Sequence, residues 1–392
     1  MVAESAQQFE ALEAQAAALM DSFGAAGYER IAPAMIQPAD VYLDRVGEAI
    51  RGRTYLFSDL SGEELCLRPD LTVPVCRLYL ERHPEGGYAA RYCYNGPAFR
   101  YQPNANRTAE PREFRQAGIE SIGEAMREQA DAEVFALAVE GLRAAGLQGF
   151  QVKIGDLGLF EALILAIDMP ERWRQRLWHS YWRPAAFHDL LTRLASGKGS
   201  WISEPAGVLL AEIDADDIGS AEEWVEKYLK AQGIPLIGNR TSTEIAERLV
   251  HRAADAREAP LADGTMNLIE DYLRISGPPR SALKQVASVA KQGGLDLSGA
   301  LERFEQRLRG FAERGVDVED MEFGAVFGRN LEYYTGFVFQ IEMPKAGKAG
   351  QVAGGGRYDG LLTELGAPRR IPAVGCAIHT ERLLAAVNGA AR

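Results

Sequence analysis

The sequence has few of the residues that build metal sites and disulfide frameworks. Its 392 residues include only 4 cysteines and 5 histidines. The histidines show no His-x-x-His or His-Glu-x-x-His spacing, and no Cys-x-x-Cys pair occurs among Cys66, Cys76, Cys93 and Cys376. We therefore expect no structural metal, no cofactor and no disulfide framework. This cysteine usage is typical of a reduced, cytoplasmic protein.

An excess of basic charge and long apolar segments are also missing. The 43 Lys and Arg residues are outnumbered by 55 Asp and Glu residues, and the formal net charge is -12 at pH 7. No general electrostatic attraction to nucleic acid is therefore expected. No run of about 18 apolar residues occurs, so the sequence predicts no membrane-spanning helix. The N-terminal segment MVAESAQQFEALEAQ lacks the basic flank and apolar run of a signal peptide.

What the sequence does contain is a large apolar fraction, 47%, distributed over strand-rich and helix-rich regions. Short β-type runs with glycine-containing turns dominate residues 54–156 and return in residues 321–378. Between them, Trp, Leu and Ala recur at helical spacing. We predict an α+β fold: an antiparallel sheet of six or seven strands flanked by helices, built from residues 1–168 and 319–392. A mostly helical insertion would occupy residues 169–318.

Two neighbouring strand-like runs carry polar residues where apolar ones would be ordinary. YCYNGPAFRYQ places Arg100 between two aromatic residues, and REFRQAGIESIG places Gln116 and Glu120 among apolar residues. A soluble domain rarely sends so much charge into strands, because buried charge without a partner is strongly destabilising. This hairpin is therefore a candidate for a functional role.

Four other segments combine polar side chains with turns, and each has a structural interpretation as well as a functional one. In LRPDLTVPVCRLYL, Asp70 could bind a ligand amine or simply favour the start of a helix. In GRNLEYYTG, Tyr333 and Tyr334 fit core packing or a pocket wall. AGGGRYDGLL lacks the Lys-Ser/Thr of a phosphate-binding loop and indicates only close backbone packing. In PAVGCAIHTERLLAAV, Arg382 fits a structural ion pair.

The order of these segments is more specific than any one of them. RPDLT, FRYQ, REFRQAGIE, GRNLEYYTG, GGGRYDGLL and VGCAIHTERL follow one another along the chain. This series resembles the catalytic domain of class II histidyl-tRNA synthetases, from about Gly27 to the C-terminus and most loosely in the helical middle. The resemblance implies a class II synthetase-like sheet. It also implies a homodimer formed through GYERIAPAMIQP, residues 27–38, with Pro33 at the centre of that element.

The resemblance also implies a histidine pocket and the remains of an ATP site. The residues that match the histidine pocket are Asp70, Thr72, Arg100, Gln116, Glu120, Arg329, Tyr333 and Tyr334. Arg100, Gln102 and Arg382 match the ATP site, where the two arginines would contact the α-phosphate and the γ-phosphate. The polar hairpin would then form one wall of the pocket.

Three departures from the synthetase pattern argue against retained adenylation. Gln102 stands where the family has a carboxylate, Asp70-Leu71 replaces Glu-Gly, and His379 replaces a glycine close to the expected ATP position. Loss of one preorganised electrostatic contact can cost about 3 kcal/mol of transition-state stabilisation. We therefore regard the ATP site as vestigial and expect no catalytic residues, although the matching arginines remain.

The C-terminal end of the sequence points the same way. The chain ends at Arg392, ten residues after Arg382, which leaves no room for the anticodon-binding domain of a synthetase. The acidic charge balance also argues against tRNA, whose capture relies on Lys and Arg at phosphates. IGDLGLFEALIL and NLEYYTGFVF are more similar to a paralogous family, the synthetase-like regulatory subunits of ATP phosphoribosyltransferase.

This second resemblance implies a non-catalytic subunit in the first step of histidine biosynthesis. Such a subunit is a homodimer within a hetero-oligomer; it activates the short-form catalytic phosphoribosyltransferase subunit and mediates feedback inhibition by the effector histidine. Neither tRNA nor a membrane is an expected partner. The alternatives are a histidine-activating ligase, including a truncated histidyl-tRNA synthetase, and a scaffold with a vestigial pocket. Histidine-dependent ATP–pyrophosphate exchange separates the ligase from the regulator, and histidine binding separates the regulator from the scaffold.

Overall fold

The chain divides into two units, the first of which is built from two separate stretches of sequence. A computed structural model describes residues 4–44, 48–102, 111–196, 213–214, 217–233, 241–328, 333–343 and 350–390. The first unit comprises Met1–Leu163 and Tyr272–Arg392, and the second comprises Ile164–Asp271. Among the described helices, none is both long and apolar enough to cross a membrane.

A nine-stranded sheet forms the core of the first unit, and a three-stranded sheet accompanies it. The strands are β1 (Glu29–Arg30), β2 (Ile36–Pro38), β3 (Tyr55–Ser58), β4 (Glu64–Leu67), β5 (Ala90–Phe99), β6 (Glu113–Ile122), β7 (Gln151–Asp156), β8 (Ser276–Gly277), β9 (Met321–Gly324), β10 (Phe337–Glu342), β11 (Gln351–Arg357) and β12 (Ala373–His379). The large sheet has the order β1-β5-β6-β12-β11-β10-β7-β9-β8, and the small one β2-β4-β3.

The large sheet confirms the predicted architecture and extends it. All neighbours from β5 through β6, β12, β11 and β10 to β7 pair antiparallel. At the two sides, β1 pairs with β5 and β9 pairs with β7 in parallel. The described sheet has nine strands rather than six or seven. Two of them, β1 and β8, could not be predicted because they contain only two residues each and show no alternating pattern.

Strand β11 lies in the middle of the sheet although it contains the glycine-rich segment. The sequence indicated close backbone packing there, and the structure explains it. A Cβ atom on Gly355 would lie 2.1 Å from the carbonyl oxygen of Gly375 in the neighbouring strand. The absence of side chains thus lets β11 pair closely with β12, but it also removes the β-branched pattern that identifies a strand.

Helices flank the sheet and fill the second unit. They are α1 (Ala6–Ala25), α2 (Ala39–Asp44), α3 (Glu48–Arg51), α4 (Thr72–Arg82), α5 (Arg127–Ala144), α6 (Leu157–Ala166), α7 (Glu171–Ser180), α8 (Pro184–Ser196), α9 (Ile218–Gln232), α10 (Ser242–Arg257), α11 (Asp263–Leu273), α12 (Pro279–Gln292), α13 (Ser298–Glu313), α14 (Leu361–Glu364) and α15 (Thr380–Ala390). The N-terminal capping box is present: the amide of Gln8 donates to Ser5 Oγ at 3.3 Å, and the Ser5 amide donates to the Gln8 side chain at 3.1 Å.

The second unit has its own small core. Its buried apolar cluster is Ile213, Ala221, Val225, Ala246, Val250 and Ala253. The buried carboxylate of Asp255 accepts hydrogen bonds from Trp173 Nε1 at 2.6 Å and from Arg172 Nε at 2.7 Å. These contacts join α7 to α10 and satisfy a carboxylate that would otherwise be costly to bury.

The compact helical unit is shorter than the helix-rich region at residues 169–318. Helices α12 and α13 lie in the first unit. The ring of Phe311 in α13 packs 4.7 Å from the ring of Phe135 in α5 and 5.2 Å from that of Phe337 in β10. Amphipathic spacing identifies a helix, but it does not identify the surface on which that helix packs.

A network of buried ion pairs joins the elements of the first unit. Asp131, which is fully buried, accepts from Arg307 Nε at 2.8 Å and from Arg357 Nε at 2.9 Å. Arg307 also donates to Asp156 at 2.6 Å, and Arg357 donates to Asp359 at 2.8 Å. The network therefore connects α5, α13, β7 and β11 through groups that are buried together.

Replacement of Asp131 by alanine should strongly destabilise the protein. The substitution leaves two buried guanidinium groups without a shared carboxylate, and breaking a buried ion pair typically costs about 3–5 kcal/mol. Urea unfolding measures the change in the free energy of unfolding. Glu140→Ala, an exposed site on the same helix, is the matched control and should change stability by less than about 0.5 kcal/mol. Similar losses in both variants would contradict a stabilising role for the network.

Candidate functional site

A narrow cavity in the first unit brings together most of the residues expected to form the histidine pocket. The empty space in and around it, including solvent at its opening, is about 390 Å³. The predicted residues that line it are Asp70, Thr72, Arg100, Gln116, Glu120, Tyr333 and Tyr334. Arg329, the remaining predicted pocket residue, lies outside the described residues. The cavity is also lined by residues that were not predicted for it, among them Tyr358, Gly375 and His379.

Strand pairing explains why the polar hairpin residues reach one cavity. Gln116, Gly118 and Glu120 alternate along β6 and therefore share one face of the strand. In the antiparallel register with β12, Glu120 lies opposite Gly375, and Gln116 lies opposite His379. The polar residues of the hairpin are consequently brought to the same side of the sheet as the histidine at the end of β12.

Glu120 is fully buried and is held by three hydroxyl groups. Thr72 Oγ1 donates to Glu120 Oε1 at 2.7 Å, and the Tyr94 hydroxyl donates to the same oxygen at 3.0 Å. The Tyr358 hydroxyl donates to Oε2 at 2.5 Å. A Cβ atom at Gly375 would lie 1.5 Å from Oε2. The opposing strand must therefore carry glycine at this position to admit the carboxyl group.

The environment of Glu120 raises the pKa of its carboxyl group towards neutral pH. Burial raises the pKa of Glu120 to about 7, although the hydrogen bonds from Tyr358, Thr72 and Tyr94 act in the opposite direction. The nearby carboxyl group of Asp70 adds to the rise. Desolvation is the dominant effect, because a charged carboxylate loses its hydration in this enclosed position.

Two other polar side chains of the cavity each have one oxygen without a hydrogen-bond partner in the described chain. Asp70 is buried, and its Oδ1 accepts from the amide of Val73 at 3.1 Å, but its Oδ2 accepts from no described residue. The side-chain oxygen of Gln116 is likewise buried and without a partner in the described chain. Burial raises the pKa of Asp70 as well. Buried acceptors are normally satisfied, and these two oxygens could accept hydrogen bonds from the N–H groups of a ligand.

Aromatic packing holds Arg100 at the same cavity. Its Nε donates to the carbonyl oxygen of Pro69 at 2.8 Å, and its guanidinium lies 5.0 Å from the ring centroid of Phe114. The imidazole of His379 lies 5.0 Å from the same ring. A guanidinium and an imidazole therefore both pack against Phe114 beside the cavity.

The residues matched to the ATP site do not all come together. Arg100 lines the cavity, whereas Gln102 and Arg382 are not among its lining residues. Arg382 instead donates to the backbone carbonyl of Gln351 at 3.2 Å. The neighbouring carboxylate of Glu381 accepts from the amide of Arg115 at 2.6 Å. Within the described residues, no group of three His, Cys, Asp or Glu side chains could hold a metal ion.

Tyr94, Tyr358 and Gly375 are among the site residues that the sequence-based assignment missed. Tyr94 lies in the strand-like run YCYNGPAFRYQ, and Tyr358 lies in the glycine-rich segment AGGGRYDGLL. Both positions lay within segments already recognised as unusual. Their common role is visible only from the convergence of their hydroxyl groups on Glu120.

The fold and the cavity together define a protein of the class II histidyl-tRNA synthetase type. The histidyl-tRNA synthetase family model matches residues 4–196 and 239–383. A solved structure with a similar fold is an ATP phosphoribosyltransferase regulatory subunit/histidyl-tRNA synthetase from Bacillus halodurans. It has a TM-score of 0.67 and 22% sequence identity, over 99% of this chain and 82% of that chain.

Two curated relatives narrow this class further. Both are named ATP phosphoribosyltransferase regulatory subunit. The protein of Allorhizobium ampelinum is 36% identical over 370 residues, or 94% of this chain and 96% of the relative. That of Rhizobium rhizogenes is 36% identical over 366 residues, or 93% of this chain and 95% of the relative. The chain belongs to the family of ATP phosphoribosyltransferase regulatory subunits, which confirms the second, more specific resemblance.

Glu120 should make stability depend on pH. Its pKa of about 7 in the folded state exceeds the ordinary value of 4.5, so the fold favours the protonated form. This stabilisation is complete below pH 4.5 and is lost as the pH rises through 7. Between pH 5 and 8, the unfolding free energy of the wild type should fall by about 2–3 kcal/mol relative to Glu120→Gln. Denaturant unfolding of both proteins tests this, and parallel pH curves would contradict it.

Proposed function

We propose that this chain is a non-catalytic regulatory subunit that binds the short-form catalytic ATP phosphoribosyltransferase subunit, activates it and makes it sensitive to histidine. It would act as a homodimer within a hetero-oligomer, with neither tRNA nor a membrane as a partner. Membership in the regulatory-subunit family supports the proposal that the catalytic phosphoribosyltransferase subunit is the partner. The polar cavity of the first unit supports the proposal that histidine is the effector.

The unsatisfied acceptors Asp70 Oδ2 and Gln116 Oε1 are the observation that carries the histidine proposal. Histidine supplies an α-ammonium group and an imidazole N–H, which are the donors that these buried oxygens need. Glu120 borders the same space, and its hydroxyl partners fix the orientation of its carboxyl group. Arg100 provides positive charge at the cavity for the α-carboxylate of the ligand.

The residue types at the ATP-matched positions support a non-catalytic role. Adenylation requires cations and donors preorganised around the reacting phosphate. Gln102 is a neutral amide where the synthetase pattern has a carboxylate. His379 places an imidazole among the lining residues, where the synthetase pattern has glycine. These features weigh against the histidine-activating ligase as the alternative function.

Asp70→Asn should weaken histidine binding while preserving the shape of the side chain. The loss of a charged acceptor for an N–H donor corresponds to about 2 kcal/mol, the usual scale for a hydrogen bond to a charged group. Isothermal titration calorimetry with histidine measures the change. Asp21→Asn, at an exposed position of α1, is the matched control and should bind as the wild type does. Unchanged affinity in Asp70→Asn would assign histidine to another site.

Mixing the chain with the short-form catalytic subunit should raise phosphoribosyltransferase activity and make that activity sensitive to histidine. The chain alone should show no histidine-dependent ATP–pyrophosphate exchange, because Gln102 and His379 depart from the synthetase pattern. Both activities can be measured on the same purified preparation. Exchange above background that disappears in Arg100→Ala would overturn the regulatory assignment and identify a ligase.

A further inference from the structure

A second cavity in the first unit has no residue in common with the histidine cavity. Its empty volume is about 640 Å³. Five arginines line it, namely Arg127, Arg303, Arg307, Arg357 and Arg370. They come from the start of α5, from α13, from the end of β11 and from the segment before β12, so guanidinium groups approach the cavity from several directions.

Two of these arginines form a fixed, buried part of the cavity wall. Arg307 is 5% exposed and Arg357 is 2% exposed. Their donors bind Asp131, Asp156 and Asp359 in the ion-pair network, and Arg357 Nη2 also donates to the carbonyl oxygen of residue 127 at 2.8 Å. These two side chains make the wall rigid, because each is bound to two buried carboxylates.

The other three arginines carry unused donors. Arg127 pairs with Asp359 through Nη2, but its Nε is buried and has no hydrogen-bond partner in the described chain. Arg303 and Arg370 are exposed, and neither has an ion-pair partner among the described residues. A buried N–H without an acceptor is costly, so Arg127 Nε indicates a position for an anionic ligand.

The carboxylates of the cavity restrict the size of that ligand. Glu128 and Glu161 also line the cavity, and no arginine of the described chain is paired with either. A long polyanion would be repelled by them, whereas a compact anion can bind near the arginines alone. A planar carboxylate is satisfied by one bidentate arginine. N–H donors that come from α5, α13 and the segment before β12 surround the ligand from several directions, which suits a tetrahedral anion better.

We infer that this cavity binds a small phosphate-bearing anion through Arg127, Arg303 and Arg370. The site is separate from the histidine cavity, and the inference does not depend on histidine binding there. A phosphate group accepts hydrogen bonds on several oxygens, and one of them would satisfy the buried Nε of Arg127. The exposed side chains of Arg303 and Arg370 would close on the ligand from the solvent side.

Inorganic phosphate is the probe for this site. The full chain should bind phosphate in a calorimetric titration and unfold at a higher temperature in phosphate than in chloride at equal ionic strength. Arg303→Gln and Arg370→Gln should each weaken phosphate binding by about tenfold, the effect of losing one charge-assisted hydrogen bond. Arg309→Gln is the matched control, because Arg309 is an exposed residue of the same helix as Arg303 and does not line the cavity.

The outcomes separate a specific site from general charge effects. Ribose 5-phosphate should bind at least as tightly as inorganic phosphate if a phosphate ester is the ligand, and more weakly if the site accepts only the free ion. Histidine affinity should stay unchanged in both cavity variants, which keeps this test distinct from that of the histidine site. The inference is overturned if phosphate acts no differently from chloride, or if Arg309→Gln weakens phosphate binding as much as the cavity variants do.

Discussion

The carboxylate of Asp131 is the group on which the interior of the first unit depends. Two buried arginines share it, although Arg307 is 176 residues and Arg357 is 226 residues away along the chain. A well-packed apolar substitute for such a network can be equally stable. We therefore interpret the network as a source of conformational specificity. Its buried charges are paired only when α5, α13, β7 and β11 pack in this arrangement.

The cavity that Glu120 lines is positioned by the same part of the chain. Tyr358 and Asp359 are adjacent, yet their side chains serve different sets of contacts. The Tyr358 hydroxyl donates to Glu120 in the cavity, while Asp359 accepts from Arg357 and from the amide of Ala373 at the start of β12. The ion pairs that place Asp359 thereby also place Tyr358. Gly375 in β12 leaves the space that the carboxyl group of Glu120 occupies.

The two carboxyl groups that line the cavity differ in how far their hydrogen-bonding capacity is satisfied. Glu120 is occupied by three hydroxyl donors, whereas Asp70 Oδ2 has no partner in the described chain. A fully satisfied polar network inside a protein rigidifies its surroundings, whereas an unpaired buried polar group is costly. Of the residues matched to the ATP site, only Arg100 lines the cavity. Function in such folds depends on the site rather than on the architecture.

The sequence by itself determined many local elements and part of the cavity lining. Alternation identified REFRQAGIESIG, which contains β6, as strand-like, and the ordered motifs identified seven of the residues that line the cavity. Only the tertiary structure decided that β11 is a central strand, that α12 and α13 belong to the first unit, and that Arg307 pairs with Asp131. The spacing of hydrophobic residues indicates whether a segment is a helix or a strand and which of its faces is buried. Contacts between residues far apart in sequence, and acceptors left without partners, arise only when the elements pack.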